Sequence, residues 1–458
     1  MFAYMKQKPG FYKQVLLLSV PIVLQNLITS TLGMADTFMV GMLGEAPMAA
    51  VTLANIPLFA VQMFIFGVQS GSSVLISQYW GRQEMDAINR VLGVALWVVL
   101  SVSSLFAAVL LICPVEFLSL FGNQPQVVEL AAQYGSIAGL SYVCNAFTMM
   151  YVAAYRSMER PQLGMYILTA SMTANTFLNW VFIFGNLGAP ALGVRGAAVA
   201  TLTARLLEVA IVAVHMMRNR FFRVRAGLLL RPGVDMTRRF LRYGGLVVCN
   251  ETMWGLGTSV FPTIMGHMAG STELLAAYTI AGNIEKIVMV ASFGLSSTAA
   301  IIIGREIGAG RQDKLLDVGK ALNTVAVAEG GLLGGLLLAF VLTAAPAWVY
   351  PLFKLSAEAA SVASMMMVMM ALAMPLKDFN TVNIVGVLRG GGDVTAATLI
   401  DTGPLWLVAV PYAALCGLAL QTSVFWVYLA FPLEQVVKFF IGVRRLRSGR
   451  WVRDLTRA

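Results

Sequence analysis

Charged residues are scarce in this sequence. Only 12% of its 458 residues are Asp, Glu, Lys or Arg, whereas 58% are hydrophobic. Ordinary soluble domains contain about 25% charged residues. The chain therefore has too few polar side chains to cover a water-soluble globule of this size, which excludes a cytosolic enzyme and a disordered chain. The composition predicts a protein that lipid surrounds.

Cysteine and histidine are also rare. The four cysteines lie in apolar runs without paired spacing, at Cys113, Cys144, Cys249 and Cys416. We interpret them as small buried residues rather than as a disulfide, redox or metal framework. The only two histidines, His215 and His267, are far apart in sequence, which argues against a zinc site.

Three motifs of pumps and hydrolases are missing from the sequence: G-x-x-x-x-G-K-[ST], HExxH and G-x-S-x-G. The first absence argues against a pump driven by ATP, and the other two argue against an enzyme embedded in the membrane. We therefore expect a protein that is not an enzyme, needs no cofactor and draws energy for transport from an ion gradient.

Long apolar runs are what the sequence has in abundance. Each is about 20 residues or longer, which at 1.5 Å per residue spans a hydrocarbon core of about 30 Å. Twelve such runs start near Val15, Met48, Val91, Val127, Leu163, Val194, Phe240, Leu274, Val318, Ala359, Val394 and Gln421. They predict an all-α integral membrane protein with twelve transmembrane helices. The first run is too long for a signal peptide, so we expect it to remain in the mature protein.

The net charge of +10 is distributed unevenly between the connectors. One set of alternate connectors holds 25 Lys and Arg residues, and the other set holds only Arg195 and Lys354. Because cytoplasmic loops retain positive charge, this bias predicts a multi-pass protein of the cell membrane with both termini in the cytoplasm. Basic residues that collect in the connectors argue against a nucleic-acid partner.

The two halves of the chain repeat each other. A shift of about 227 residues superimposes Ala49-Ala50 on Ala276-Ala277, Phe66-Gly67 on Phe293-Gly294, Ser70 on Ser297 and Gly81 on Gly308. Repeats of this kind are typical of transporters. We predict two pseudo-symmetric six-helix lobes at residues 1–217 and 240–443, a linker at 218–239 and a basic cytoplasmic tail at 444–458. The linker run RNRFFRVRAGLLLRPG is predicted to lie on anionic lipid headgroups.

Several motifs resemble those of the multidrug and toxic compound extrusion (MATE) transporters. Pro21 is followed fifteen positions later by Asp36 in MADTFMVGMLG, and NLGAPALGVRGAAVAT occurs at 186–201. The second half contains AAYTIAGNIEKI and IIIGREIGAGR within 276–311. The resemblance covers nearly the whole chain. It implies two lobes facing a central cavity, alternating access, and export of cationic amphiphilic compounds in exchange for Na⁺ or H⁺. We expect a monomer in the lipid bilayer, with a helix bend at Pro21.

A flippase for a lipid-linked oligosaccharide is the alternative function, because related folds perform that task. Such a protein would need basic residues in its cavity to hold a pyrophosphate. The midplane of this chain is mainly acidic, which favours the exporter.

An ionisable side chain within a span is costly, so Asp36 in the outer half of the first helix needs a reason. Its position is equally compatible with an interfacial helix end and with a functional site. Asn175 and Asn179 are four residues apart and share a helical face, where they could simply hydrogen-bond between helices. The resemblance implies that Asp36, Asn175, Asn179 and Thr201 form an ion-coupling site. One branch of the family has a second aspartate at the position of Asn179, and the single carboxylate here suits a monovalent cation or a proton.

Two acidic residues of the second half are predicted to lie at midplane depth. Glu251 is eleven residues beyond Phe240, and Asp378 is eleven residues before Arg389, so both lie about 16 Å from the inner boundary. Carboxylates at one depth repel each other unless they share a proton or hold a cation. We predict a substrate or ion site there.

A structural interpretation of these acids stays open. Lys286 and Lys377 are near Glu251 and Asp378 in sequence and could pair with them. Glu285 is similarly central, but it immediately precedes Lys286, so a structural ion pair is equally compatible with its position.

Two further features favour structural roles. Arg205 and Glu208, three apart on the sixth span, are predicted to neutralise each other. Five methionines in one span could line an adaptable cavity, although packed methionine is the commoner explanation: Met365, Met366, Met367, Met369 and Met370.

Overall fold

The computed structural model describes residues 9–122, 124–353 and 355–456, so Lys354 lies outside the described residues. Because lipid cannot hydrogen-bond the backbone, apolar segments of this length form helices. The helices of the first half are α1 (Pro9–Gly41), α2 (Glu45–Gly81), α3 (Met85–Ile112), α4 (Pro114–Ser119), α5 (Pro125–Ser157), α6 (Gln162–Phe184) and α7 (Val194–Arg218), with a 3₁₀ turn at Asn186–Gly188.

The second half begins with the short helix α8 (Ala226–Leu230). It continues through α9 (Val234–Gly266), α10 (Ser271–Gly308), α11 (Leu315–Leu342), α12 (Tyr350–Leu352), α13 (Ala357–Thr381), α14 (Val394–Pro404), α15 (Val410–Ala414), α16 (Val424–Tyr428) and α17 (Ala430–Arg447). Four π-helical segments interrupt it, at Ala345–Val349, Val382–Leu388, Leu405–Ala409 and Leu415–Ala419. Within the described ranges, the only β-type pairing is an isolated bridge between Gly392 and Val452.

Helices long and apolar enough to cross a membrane number 11 among the described residues. They correspond to eleven of the twelve predicted runs, with α13 extended through Leu388 and the last two spans at 394–419 and 424–447. The remaining run, near Phe240, lies in α9, whose 33 residues are long enough to span. It is less apolar because it carries Asn250, Glu251 and several Gly, Ser and Thr residues. The all-α membrane fold is thereby confirmed.

The chain forms two compact units. One comprises residues 24–248, and the other comprises the residues up to 23 together with those from 249 onward. In the first unit α5 packs against α2, α3 and α7, and in the second α13 packs against α10, α11 and α17. The helices α5 and α13 each form the fourth span of their half, so the sequence repeat is also a repeat of packing.

The linker makes contacts within the first unit, and its predicted position on lipid headgroups stays a prediction. Phe222 is fully buried and packs edge-on against Tyr155, with ring centroids 6.2 Å apart. Arg225 forms an ion pair of 2.6 Å with Asp86. Arg90 donates a hydrogen bond of 3.1 Å to the carbonyl of Pro232. The arginines of the linker alternate with apolar residues because part of this segment enters the protein interior.

The tail after α17 is folded in the same way. Trp451 is fully buried, and its indole Nε1 donates a hydrogen bond of 2.9 Å to the carbonyl of Leu446. Arg445 and Arg453 form ion pairs of 2.6 and 3.2 Å with Asp393. In each half, an aromatic residue that follows the sixth span is therefore buried in its own unit.

The four cysteines differ in burial. Cys416 is buried, Cys113 and Cys144 are half-buried, and Cys249 is exposed, so the predicted burial of Cys249 is wrong. An apolar side chain loses little by facing lipid, which is as apolar as a protein core.

Among the methionines of α13, Met366, Met367 and Met370 lie in a hydrophobic core, which confirms the packing explanation.

Candidate functional site

In the first unit the four residues predicted to couple ions come together. The amide Nδ2 of Asn179 donates hydrogen bonds to Asp36 Oδ1 at 2.6 Å and to Asn175 Oδ1 at 3.1 Å. Asn175 in turn contacts Thr201 Oγ1 at 3.4 Å. Helices α1, α6 and α7 thus meet at one chain of polar groups.

The position of the two asparagines follows from helix geometry. Their spacing of four residues places both amides on the same face of α6, and both are buried. The carbonyl Oδ1 of Asn179 is buried and accepts no hydrogen bond from the residues that the structure describes. Buried polar atoms are normally satisfied, so this oxygen is available to a ligand.

Sequence reasoning missed two residues at this site. The hydroxyl of Tyr134, on α5, lies near that of Thr201. Arg205 acts electrostatically on Asp36 and forms the predicted ion pair of 2.6 Å with Glu208, which is confirmed. A signal for Arg205 was present, because it follows Thr201 by four residues and therefore shares its helix face. Since Arg205 and Glu208 cancel, the site keeps the single negative charge of Asp36.

A wide-open surface cavity of about 620 Å³, most of whose lining residues are exposed, lies in the same unit. It is lined by Met39, Thr169, Met172, Thr173, Thr176, Phe177 and Trp180. Met39 is one helical turn beyond Asp36, and the rings of Phe177 and Trp180 are 6.1 Å apart. The lining combines adaptable and aromatic side chains with hydroxyl groups.

In the second unit, Glu251 and Asp378 have different partners, which departs from the predicted shared site. Glu251 forms an ion pair of 2.7 Å with Arg389, whose side chain is 1% exposed. Arg389, which marks the inner boundary of its span in the sequence analysis, is buried. Asp378 is fully buried and accepts a hydrogen bond of 2.6 Å from the hydroxyl of Ser292 on α10.

The lysines also pair differently from the sequence interpretation. Lys377 is bonded to Glu285 on α10, so it is not the partner of Asp378. Lys286 is exposed. Glu285 therefore belongs to a structural ion pair between α10 and α13.

A buried charge network in the second unit has no counterpart in the predictions. Lys438 on α17 is bonded to Asp401 at 2.8 Å and to Glu434 at 2.7 Å, and Asn250 donates a hydrogen bond of 3.0 Å to Asp401. The cost of an ionisable side chain within a span, which drew attention to Asp36, applies equally to Lys438, Asp401 and Glu434. The sequence therefore contained a signal for this network.

The first unit presents the clearer ligand site. A carboxylate, an open amide oxygen and two hydroxyls form a set of hard oxygen donors with one negative charge. Such a set suits a monovalent cation or a proton on Asp36. Across the described ranges, no three His, Cys, Asp or Glu side chains are grouped to hold a metal ion.

Two repeated six-span halves with carboxylates inside their spans define a polytopic membrane transporter. The MatE family model matches residues 21–181 and 245–415, and the chain belongs to this family of multidrug efflux transporters.

Individual proteins extend this comparison. A probable multidrug resistance protein, NorM, of Thermotoga maritima is 22% identical over 451 residues, 97% of this chain and 94% of that protein. A MOP superfamily transporter from Pyrococcus furiosus has a similar structure, with a TM-score of 0.83, 19% identity and 96% of both chains covered. The eukaryotic MATE transporter AtDTX14 gives a TM-score of 0.83 at 16% identity, with 97% of both chains covered.

Proposed function

We propose that this chain exports cationic amphiphilic organic compounds across the cell membrane in exchange for Na⁺ or H⁺, as a monomer with both termini in the cytoplasm. The observation that carries the proposal is the position of Asp36. Its carboxylate supplies the net charge of a site formed by buried polar groups. Met39, one helical turn further along α1, lines the cavity.

The coupling follows from electrostatics. A cationic compound near Asp36 is stabilised while the carboxylate is charged, and it is released more readily once a proton or Na⁺ neutralises that charge. An ion shifts a conformational equilibrium only by as much as it binds one state better than the other. Asn175, Asn179 and Thr201 supply the neutral oxygens and hydrogen-bond donors that would contact an ion bound at this site.

Pro21 supplies flexibility to the same helix. It lies inside α1, which continues across it, and proline donates no backbone hydrogen bond to the carbonyl of Leu17. We propose that α1 bends at this point during the transport cycle.

The cavity lining favours export of cations over flipping of a lipid-linked oligosaccharide. A pyrophosphate would require Lys or Arg, and the seven lining residues of the described cavity carry no charge.

Transport into or out of liposomes tests the proposal. Purified protein is reconstituted, a fluorescent organic cation is loaded, and a Na⁺ gradient or a pH gradient is imposed separately. We expect one of the two gradients to drive dye movement in the wild type, and Asp36→Asn to reduce it to the level of protein-free liposomes. Asp317→Asn, at a half-exposed helix end, is the matched control and should transport normally. Full transport by Asp36→Asn, or none under either gradient in the wild type, refutes the proposal.

A further inference from the structure

Glu329 is an ionisable residue in the middle of a membrane span that the proposed function does not use. It lies on α11 (Leu315–Leu342), fourteen residues from the first residue and thirteen from the last, or about 20 Å from each end. An acidic side chain at this depth is costly and marks a functional site by default.

Close packing of α11 on α13 places Gly330, the residue that follows Glu329, against Asp378. A methyl group added to the adjacent Gly330 would lie 3.0 Å from Asp378 Cβ and 2.8 Å from the carbonyl oxygen of Met374. Glycine is what permits this approach. Glu329 is near enough to interact electrostatically with Asp378.

Each of the two carboxylates has one buried oxygen without a hydrogen-bond partner among the described residues. Asp378 is fully buried, and its Oδ1 accepts the hydrogen bond from Ser292. Its Oδ2, and Oε2 of Glu329, are both buried and have no hydrogen-bond partner in the described part of the chain. Two ionised carboxylates with unpaired buried oxygens repel each other and lose their hydration. The two carboxylates therefore need a positive charge or a proton between them.

Within the described ranges, no basic side chain forms an ion pair with Asp378 or Glu329, and the basic residues within the spans of this unit, apart from the exposed Lys286, are bonded to other carboxylates. Lys377 is bonded to Glu285 on α10, Lys438 to Glu434 and Asp401, and Arg389 to Glu251. The remaining charged residues on α10, α11 and α13 either lie toward a helix end or, for Lys286, are exposed: Glu273, Arg305, Glu306, Asp317, Lys320, Glu358 and Lys286.

We propose that Asp378 and Glu329 form a carboxyl dyad that shares one exchangeable proton. The proton is bound to one carboxyl oxygen and donates a hydrogen bond to the other, while the hydroxyl of Ser292 stabilises the ionised form of Asp378. Two carboxylates and one hydroxyl already in use are fewer than the six or so oxygens that hard metal cations take, whereas a proton needs only two. The use of this dyad in transport rests on the proposed function, but its existence does not.

The proton is observed directly by infrared difference spectroscopy of the purified wild-type protein during a pH titration, through the carbonyl stretch of protonated carboxylic acids. Coupled carboxylates lose their protons in two separate steps that belong to the pair. Beyond the titration of the other carboxylic acids, which the variants share, we expect two steps that belong to this pair in the wild type. Asp378→Asn and Glu329→Gln should each leave one step, at a pH lower than that of the second wild-type step because the neighbouring charge is gone.

Controls separate a dyad from a general loss of structure. Glu329→Asp keeps a carboxylate and should keep two steps. Glu251→Gln removes a carboxylate that Arg389 already holds, so it should leave both steps unchanged. Thermal unfolding confirms that each variant is folded.

Two results overturn the dyad. One is a titration step of Asp378 that is the same with and without the Glu329 carboxylate. The other is a carboxylate signal that responds to Na⁺ and not to pH, which would assign a metal cation to the pair. Because no transport is measured, a normal dyad in a protein that moves no dye would refute the proposed function alone.

Discussion

The amide nitrogen of Asn179 lies 2.6 Å from Asp36 Oδ1 and 3.1 Å from Asn175 Oδ1, so one buried side chain bonds both of its neighbours. An amide NH₂ group has two hydrogens, and both are used here. The carboxylate is thereby held against α6 by a donor that carries no charge of its own. A ligand that neutralises Asp36 changes the strength of this bond and so acts on the contact between α1 and α6.

Removal of this donor should shift ion binding in a direction that depends on the ion. A hydrogen bond to a charged group contributes about 1.5–3 kcal/mol, and about 1.4 kcal/mol is tenfold in affinity. The bond stabilises the ionised carboxylate of Asp36, so in Asn179→Leu a driving proton should bind at least about tenfold more tightly. Na⁺ would lose the amide oxygen of Asn179 as a ligand and should bind more weakly. The half-maximal concentration of the driving ion in the liposome assay measures the shift. Asn186→Leu, at the exposed end of α6, is the control and should leave it unchanged. An unaltered ion dependence of Asn179→Leu would show that the charge of Asp36 does not need this donor.

The topology prediction is tested by labelling of single cysteines. Both Gln124 and Arg231 are exposed, and they lie in connectors predicted to face opposite sides of the membrane. In a cysteine-free background, a membrane-impermeant reagent should label Gln124→Cys in intact cells and Arg231→Cys only after the membrane is broken. Labelling of position 231 in intact cells contradicts the assignment.

Breaking the ion pair of Glu251 with Arg389 should destabilise the protein. Removal of one partner leaves a buried charge without its opposite charge, which typically costs about 3–5 kcal/mol. We expect Glu251→Gln and Arg389→Gln each to lower the thermal unfolding temperature in detergent, and the double variant to be less destabilised than the two effects added. The exposed pair Arg82 and Glu84, 3.0 Å apart, is the control, because exposed pairs contribute about 0–1 kcal/mol. Strictly additive losses would argue against a direct pair.

The glycines of α11 should differ sharply by helix face. A methyl group at Gly334 would lie 2.4 Å from the carbonyl oxygen of Ala371 on α13, whereas Gly331 and Gly335 have nothing within 4 Å. We expect Gly334→Ala to destabilise the protein by about 1–3 kcal/mol through overpacking. Alanine at 331 or 335 should be neutral or stabilising by up to about 1 kcal/mol. Thermal unfolding of the three variants decides, and equal effects would show that α11 does not pack closely on α13 at this point.

The spans and the repeat could be predicted because both depend on local sequence. Apolar length determines whether a helix can cross, and the excess of Lys and Arg in alternate connectors determines the predicted orientation. The polar chain at Asn175 and Asn179 could also be predicted in part, since residues four apart share a helix face. These inferences need no knowledge of how helices pack.

The partners in the second unit could not be predicted, because counting residues gives depth along a helix but not its rotation. Glu251 and Asp378 were placed at the same depth, yet one faces Arg389 and the other faces Ser292. Arg389 marks the inner boundary in the sequence because three glycines follow it. The folded tail covers that turn and makes the position interior.

The buried aromatics Phe222 and Trp451 affect where this protein tolerates a fused reporter. The stretch between two repeats is a natural choice for an inserted fluorescent domain, since insertions are best tolerated at exposed, loosely bonded backbone. Here that stretch is partly interior, and an insertion beside Phe222 would expel the aromatic ring from its unit. Position 231 is exposed and follows the end of α8, so it is the better point of attachment. A fusion directly after Arg447 would likewise separate Trp451 from the glycines that it covers.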